Sequence, residues 1–215
     1  MARFSKIDPC EVHPTANICD GAIIGKLFRP FLDGSQDKRR KTIVKKGVYI
    51  GHSAIVGSGS AIGVRCIVDD FSIIESRVVV DSGTLIIYRA QICNDASIGR
   101  DCVIGGFIGE RTKVGNRCRV FGRLVHLQNE PQKGWDDDDV IEPAPVIDEG
   151  AFVGFGAIIA GPVKVGRRAY VCAGAIITRD VPDYHIAAER NRIVPFSEWN
   201  GRLRTSPFFM CSSSF

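Results

Sequence analysis

The sequence predicts an all-β chain wound as a parallel β-helix, and three observations carry that expectation. First, aliphatic residues recur at every sixth position: Ile50, Val56, Ile62, Val68, Ile74, Val80, Ile86, Ile92, Ile98 and Ile104, then Ile147, Val153, Ile159, Val165, Val171 and Ile177. Second, the residue after the aliphatic one is often Gly or Asp, as at Gly51, Gly57, Gly63, Asp69, Asp81, Gly99 and Gly105. Those types tolerate the backbone of a tight turn. Third, a small or β-branched residue stands four places after the aliphatic one, as at Ala54, Ser60, Cys66, Ser72, Ala90 and Cys102. Residues two apart on a strand share a face, so the small residue and the next aliphatic both point inward before a corner. A helix would show a period of 3.6 and a flat sheet longer alternating runs. A fixed six-residue period is the signature of stacked β-helix coils.

The chain has 215 residues, 45% hydrophobic and 24% charged, which is enough for a sizeable core in one or two domains. A net charge of +4 is too mild to point to nucleic acid. No apolar run approaches the ~18 residues of a membrane span. The start, "MARFSKIDPCEVHP", lacks the apolar stretch of a secretory signal, so a cytoplasmic location is expected. Eight cysteines occur without any CxxC, and Cys66, Cys102 and Cys118 fall where the repeat wants a small residue. Free buried thiols are therefore expected rather than a disulfide framework.

Taken in order, residues 1–195 read as the β-helix, with shorter runs at Val12, Ile18, Ile24 and at Ile108, Val114, Val120. The rhythm breaks three times. A loop over 27–46 carries Lys38, Arg39, Arg40, Lys41, Lys45 and Lys46, either a solvated basic loop or a lid whose cations meet phosphates. A slip at 104–108, "IGGFI", reads as a tightened corner. The third break is at His126, six residues after Val120, where an inward aliphatic is due. The loop 127–144 follows, and long loops without secondary structure are uncommon unless functional or disordered. Its run Asp136–Asp139 reads as a solvated charge run rather than a metal site, because contiguous aspartates do not converge on one ion. Residues 196–215 form a C-terminal extension: "SEWNGRL" fits a short helix capped by Ser197, and "SPFFMCSSSF" a poorly ordered tail.

These repeats resemble the hexapeptide-repeat acyltransferases over roughly residues 8–195. The segment 145–182, "PVIDEGAFVGFGAIIAGPVKVGRRAYVCAGAIITRDVP", looks like the terminal coils of the acetyl-CoA-dependent branch, with matches at Gly154, Gly156-Ala157, Gly174-Ala175, Thr178, Asp180, Val181 and Pro182. The chain departs where the family usually continues with G-N-P-A after the D-V-P, reading "DYHIAAERNRIV" instead. The resemblance implies a left-handed β-helix with three hexapeptides per coil, acetyl-CoA as co-substrate, and a homotrimer with active sites between subunits. It also implies a loop leaving the coil beside a catalytic histidine, the place that His126 holds.

Acetyl transfer from a thioester needs a proton removed from the attacking amine or hydroxyl and a stabilised oxyanion. An imidazole, with an unperturbed pKa near ~6.5, suits the first task. His126 is thus the candidate general base, with Asn129 as its candidate helper, and Gln128, Glu130 and Trp135 as candidate acceptor contacts. For the co-substrate, small residues at Gly156, Ala157, Gly174 and Ala175 leave backbone groups approachable, and Arg190 and Arg192 are candidate phosphate partners. The function this implies is acetyl transfer to an amino or hydroxyl group of a small polar acceptor such as a nucleotide-linked amino sugar, with neither nucleic acid nor a membrane span involved. Two other classes compete: a non-enzymatic assembly subunit, and a zinc hydro-lyase needing three convergent histidines. The chain has His13, His52, His126 and His185, with no close pair in sequence.

Overall fold

The computed structural model describes residues 4–7, 9–28, 40–127, 142–201, 203, 206 and 208. Each six-residue unit forms one short strand and one corner, and the strands stack into three sheets. Sheet A runs from Ser5–Lys6 to Ile176–Ile177, sheet B from Cys10–Val12 to Lys164–Val165, and sheet C from Asn17–Ile18 through His185–Ala188 to a last, antiparallel strand at Arg192–Pro195. Ile73 pairs in parallel with Gln91, eighteen residues on, so three hexapeptides complete a coil of a left-handed parallel β-helix. The inward ladder is fully buried at Ile50, Ile62, Ile74, Ile86 and Ile98, with small residues such as Ala54, Cys66 and Cys102 between the rungs. Each such aliphatic side chain contributes about 1.5–3 kcal/mol by leaving water. Cys66, Cys102 and Cys118 are buried free thiols, and burial pushes the Cys66 thiol up.

Corners place one residue at positive φ, as at Arg65, Arg77 and Asp95. That conformation costs an L-residue about 1–2 kcal/mol. Hydrogen bonds between coils offset it, such as the Arg77 N–H donating to the Ser58 carbonyl at 3.0 Å.

Several details differ from the sequence reading. Thr42–Val44 is a strand of sheet B, so the first loop ends before Thr42 and not at 46. Val44, two residues farther along the strand from Thr42, simply continues the inward ladder. Lys38 and Arg39 lie outside the described residues, while Lys41 pairs with Glu11 at 2.5 Å.

The slip at 104–108 is a tightened corner, and a second one follows at Phe121-Gly122. Gln91 pairs with Phe107 and Phe107 with Arg123, so two successive coils take sixteen residues each. The two tight corners stack, and only glycine fits: a Cβ on Gly106 would lie 1.8 Å from the Gly122 carbonyl oxygen. The inward residue after Val120 is therefore Leu124, fully buried, and not position 126. His126 stands two places farther on, past the end of the strand Arg123–Val125.

At the C-terminal end, Ser197 caps nothing. The 3-10 turn Phe196–Glu198 contains it, and Pro195, the last residue of the preceding strand, holds the N-cap position without a side-chain bond. The tail is not wholly detached either. Phe208 packs edge-on against Phe152, Tyr170 and Phe196, with centroids 6.3, 5.5 and 6.3 Å away. Among the described residues, no helix is long and apolar enough to cross a membrane.

Candidate active site

Both long loops leave the β-helix at the same edge, the corner that follows sheet A. One departs after the strand Ile23–Lys26 and the other after Arg123–Val125. Five steps of sheet A separate these strands, or about 24 Å at ~4.8 Å per coil. The second departure is built from two stalks held together, with the Leu127 N–H reaching the Pro143 carbonyl at 3.5 Å.

On those stalks His126 meets Glu142. The imidazole Nδ1 and the Glu142 Oε2 share a short hydrogen bond. The Glu142 side chain is 10% exposed and the His126 side chain 23%, so the carboxylate is the more deeply set of the two. A carboxylate accepts only from a protonated nitrogen. The pairing therefore puts the ring proton on Nδ1 and, in the neutral imidazole, leaves Nε2 with its lone pair to take a proton. Sequence reading missed Glu142, which lies across the loop from the histidine. The signal it did offer is an acid just before "PAPVI", where the repeat resumes.

Directly above His126 in register is Gly161, since Val125 pairs with Ala160. The Gly161 N–H donates to the Val125 carbonyl at 2.9 Å, extending the strand into the departure. Its φ is +89, and a Cβ there would approach the Leu127 side chain at 3.6 Å.

The remaining candidates divide. Gln128, Asn129, Glu130, Trp135 and Asp136–Asp139 lie outside the described residues. Gly156 and Gly174 lie at the corner that precedes sheet A, both exposed, both at positive φ, with nothing within 4 Å of a Cβ built on either. Ala157 and Ala175 point into the core and are fully buried, so they present no side chain to a ligand. Phe155 stands 63% exposed beside Gly156 and stacks on Phe121 at 4.6 Å. Arg190 is exposed in the turn between the strands His185–Ala188 and Arg192–Pro195. Arg192 pairs with Glu189 at 3.0 Å and lies over the Trp199 ring at 5.5 Å.

Within one chain these features are not brought together. Gly156 and Gly161, the register neighbour of His126, stand at opposite ends of one sheet-A strand. They are five positions apart, roughly 16 Å when extended. The four histidines are dispersed over different edges, and among the described residues no group of three His, Cys, Asp or Glu could hold a metal ion.

No family model matches the sequence. Among curated proteins, the chain is 31% identical over 149 residues to the bifunctional protein GlmU of Geobacillus sp., covering 56% of this chain and 32% of that protein. It is 49% identical over 45 residues to the GlmU of Bradyrhizobium sp., covering 21% of this chain and 10% of that protein. The chain thus spans at most about a third of the length of these relatives. Among solved structures, the UDP-N-acetylglucosamine acyltransferase of Francisella novicida superposes with a TM-score of 0.39 at 18% identity, over 86% of this chain and 67% of that one.

Proposed function

We propose that this chain is an acetyl-CoA-dependent acetyltransferase that acylates an amino or hydroxyl group of a small, sugar-like acceptor by direct transfer. The observation that carries this reading is the His126–Glu142 pair, set where the regular coil opens into a loop. The similarity to the terminal coils of hexapeptide-repeat acyltransferases over residues 145–182 supports it.

In this reading Nε2 of His126 takes the proton from the acceptor as its nitrogen or oxygen attacks the thioester carbonyl. The carbon–sulfur bond then breaks and CoA leaves as the thiol. Glu142 acts as a positioning residue: it fixes the tautomer and steadies the imidazolium that forms. No cysteine nucleophile is needed, and the buried thiols are pushed away from the thiolate form at Cys66 and Cys93, where burial is the main cause. The pantetheine arm runs past the open backbone at Gly156 and Gly174, where a peptide-like chain finds room. Arg190 and Arg192 stand for the phosphates. Asn129, Gln128, Glu130 and Trp135, which the sequence alone offers, are assigned to the acceptor side.

The active unit is a homotrimer. Six of the nine outward positions of sheet A are apolar, Ile23, Ile55, Ile73, Phe107, Ile158 and Ile176, with Ser5, Gln91 and Arg123 at the other three, a largely apolar face that a second copy would cover. Assembly also joins His126 of one chain to the glycine corner of the next, which one chain alone keeps apart. We place the enzyme in the cytoplasm, where acetyl-CoA is available.

The test is calorimetry with acetyl-CoA, followed by thiol release in the presence of a panel of amino and hydroxy sugars, with the mass in solution measured alongside. Binding, acceptor-dependent thiol release and a trimer are expected. Absence of acetyl-CoA binding sinks the reading.

A further inference from the structure

Charge is not spread evenly along the β-helix. Residues 1–66 carry eleven Lys and Arg against five Asp and Glu, while the rest of the chain carries seventeen against nineteen. Each coil stacks on the one before it, so an asymmetry along the sequence becomes an asymmetry in space. The first three coils, which form the N-terminal end of the β-helix, hold the basic excess.

Within that end the described cations keep to one side. The strand Thr42–Val44 of sheet B is bracketed by Arg40 and Lys41 where it enters and by Lys45 and Lys46 where it leaves, all four exposed. Arg65, also exposed, stands one coil on, its backbone N–H donating to the Lys46 carbonyl at 3.0 Å. Glu11 pairs with Lys41 at 2.5 Å. Among the described residues, no carboxylate pairs with Arg40, Lys45, Lys46 or Arg65. The other described acids of these coils, Asp20, Asp69 and Asp70, lie on the corner between sheets C and A, across the molecule. The next acid on the basic side, Asp81, turns to its own corner and accepts from the Ser82 N–H at 2.6 Å.

A second observation concerns the surface between those cations. There the outward positions of sheet B are Ile43, Ala61 and Val79 on successive coils, with Val79 49% exposed. They make a flat aliphatic strip about 10 Å tall. Farther along, the outward residues of sheet B turn to Ser97 and Lys113, so the apolar strip and the basic excess share one end. The same end exposes Phe4 and Ile7, 37 and 38%, on either side of the strand Ser5–Lys6. Beside it Lys26 lies over the Phe28 ring at 5.3 Å.

We propose that this corner of the molecule, the cation-flanked strip of sheet B with the N-terminal end beside it, docks on an anionic lipid bilayer. Its shape and chemistry select a bilayer among polyanions. Single-stranded nucleic acid is held by cations interleaved with stacking rings, and here the space between the cations holds aliphatic side chains. A peptide would need a groove or a free strand edge, and these strands are flat and paired on both sides. A bilayer offers phosphates in a plane with an apolar layer just beneath. Long basic side chains reach the first while Phe4 and Ile7 reach the second. The strand that ends at His126 lies five steps of sheet A beyond Ile23–Lys26, or about 24 Å, so docking leaves the candidate site open. A trimer closed through sheet A leaves sheet B outside, and three-fold symmetry sets all three corners at one end, which multiplies weak docking.

The experiment is flotation of the full chain with vesicles of phosphatidylcholine alone and of phosphatidylcholine mixed in equal parts with phosphatidylglycerol, with double-stranded DNA as a soluble polyanion in parallel. The chain should float with the mixed vesicles and not with phosphatidylcholine alone, and raising the salt should release it. Lys45→Gln combined with Lys46→Gln should weaken binding by about 25-fold, and Arg65→Gln alone by about fivefold. Arg167→Gln, six steps of sheet B farther along the same corner, should leave it unchanged. Phe4→Trp should be quenched by brominated acyl chains in the mixed vesicles, above the background of Trp135 and Trp199. Failure to float with the mixed vesicles, equal flotation with phosphatidylcholine alone, tighter binding to DNA than to the vesicles, indifference to the lysine substitutions or an unquenched Phe4→Trp each overturns the proposal. None of these outcomes touches the acyl-transfer reading, which uses other residues.

Discussion

The two edges that border sheet A are built on the same six-residue step, yet they carry different surfaces. The edge entering the sheet mixes exposed aromatics with polar residues such as His52, Asp70 and Arg89 on its lower coils and opens upward: Phe71, Tyr88 and Phe155 are 49, 50 and 63% exposed, and Gly156 and Gly174 leave bare backbone between coils. The edge leaving it is polar and engaged, with Asn94, Glu110, His126 and Glu142 in reach of one another's coils. A β-helix dictates only the inward residue, the small residue before it and the positive-φ position of the turn. The other corner positions are unconstrained by the fold, and there the two edges diverge. Chemistry is concentrated where the repeat has side chains to spare.

The contrast can be tested from both sides, beginning with the scaffold that the edges share. Leu124→Ala removes the rung below the departure point and should cost about 2–5 kcal/mol. For a chain of this size that is a fall of roughly 4–20 °C in Tm, read by thermal unfolding. A shift below that range would mean that the coil under His126 is loosely packed.

On the polar edge, Glu142→Gln keeps the shape and loses the charge. Turnover should fall by roughly 10- to 100-fold, less than a lost general base, worth about 10²–10⁴-fold. The change should lie in kcat rather than KM, and Glu142→Asp should recover part of it. On the open edge, Gly174→Asn adds a side chain where space exists, at a φ that Asn tolerates. Tm should hold, while calorimetry should show acetyl-CoA binding weakened by roughly 3- to 10-fold, or about 0.7–1.4 kcal/mol. Unchanged binding would remove this edge from the co-substrate's path.

The smallest expected effect concerns Glu75, whose carboxyl is raised chiefly by burial. The folded state then holds its proton to higher pH than the unfolded chain does. Stability should decline as pH rises from the unfolded carboxylate range through the raised folded value. Glu75→Gln should flatten that decline in denaturant titrations run across the window.

Most of the fold was legible in the sequence because the repeat is strictly local: six residues specify one rung wherever they occur. The fold hid two things. A step of six cannot register a corner shortened by two residues unless its glycines are weighed, and Gly106 over Gly122 is such a pair. Missing the second shortened corner put His126 at an inward position, when Leu124 fills that role and the histidine stands on the turn. The histidine was found because the rhythm stopped beside it, not because of the register assigned to it. Glu142 was illegible for a different reason: the loop that brings it back to His126 carries no period, so nothing in spacing links the two. Ser197 was read as a cap from its residue type alone, and the proline before the turn had already taken the position.

The central claim is that the interrupted edge holds the base. It is tested most directly by the acetyl-transfer rate of His126→Gln beside the wild type, with far-UV dichroism and acetyl-CoA affinity measured on the same samples. The account predicts a loss of about 10²-fold or more in kcat, with fold and acetyl-CoA affinity intact. A variant that binds acetyl-CoA and transfers its acetyl group at the wild-type rate would contradict it.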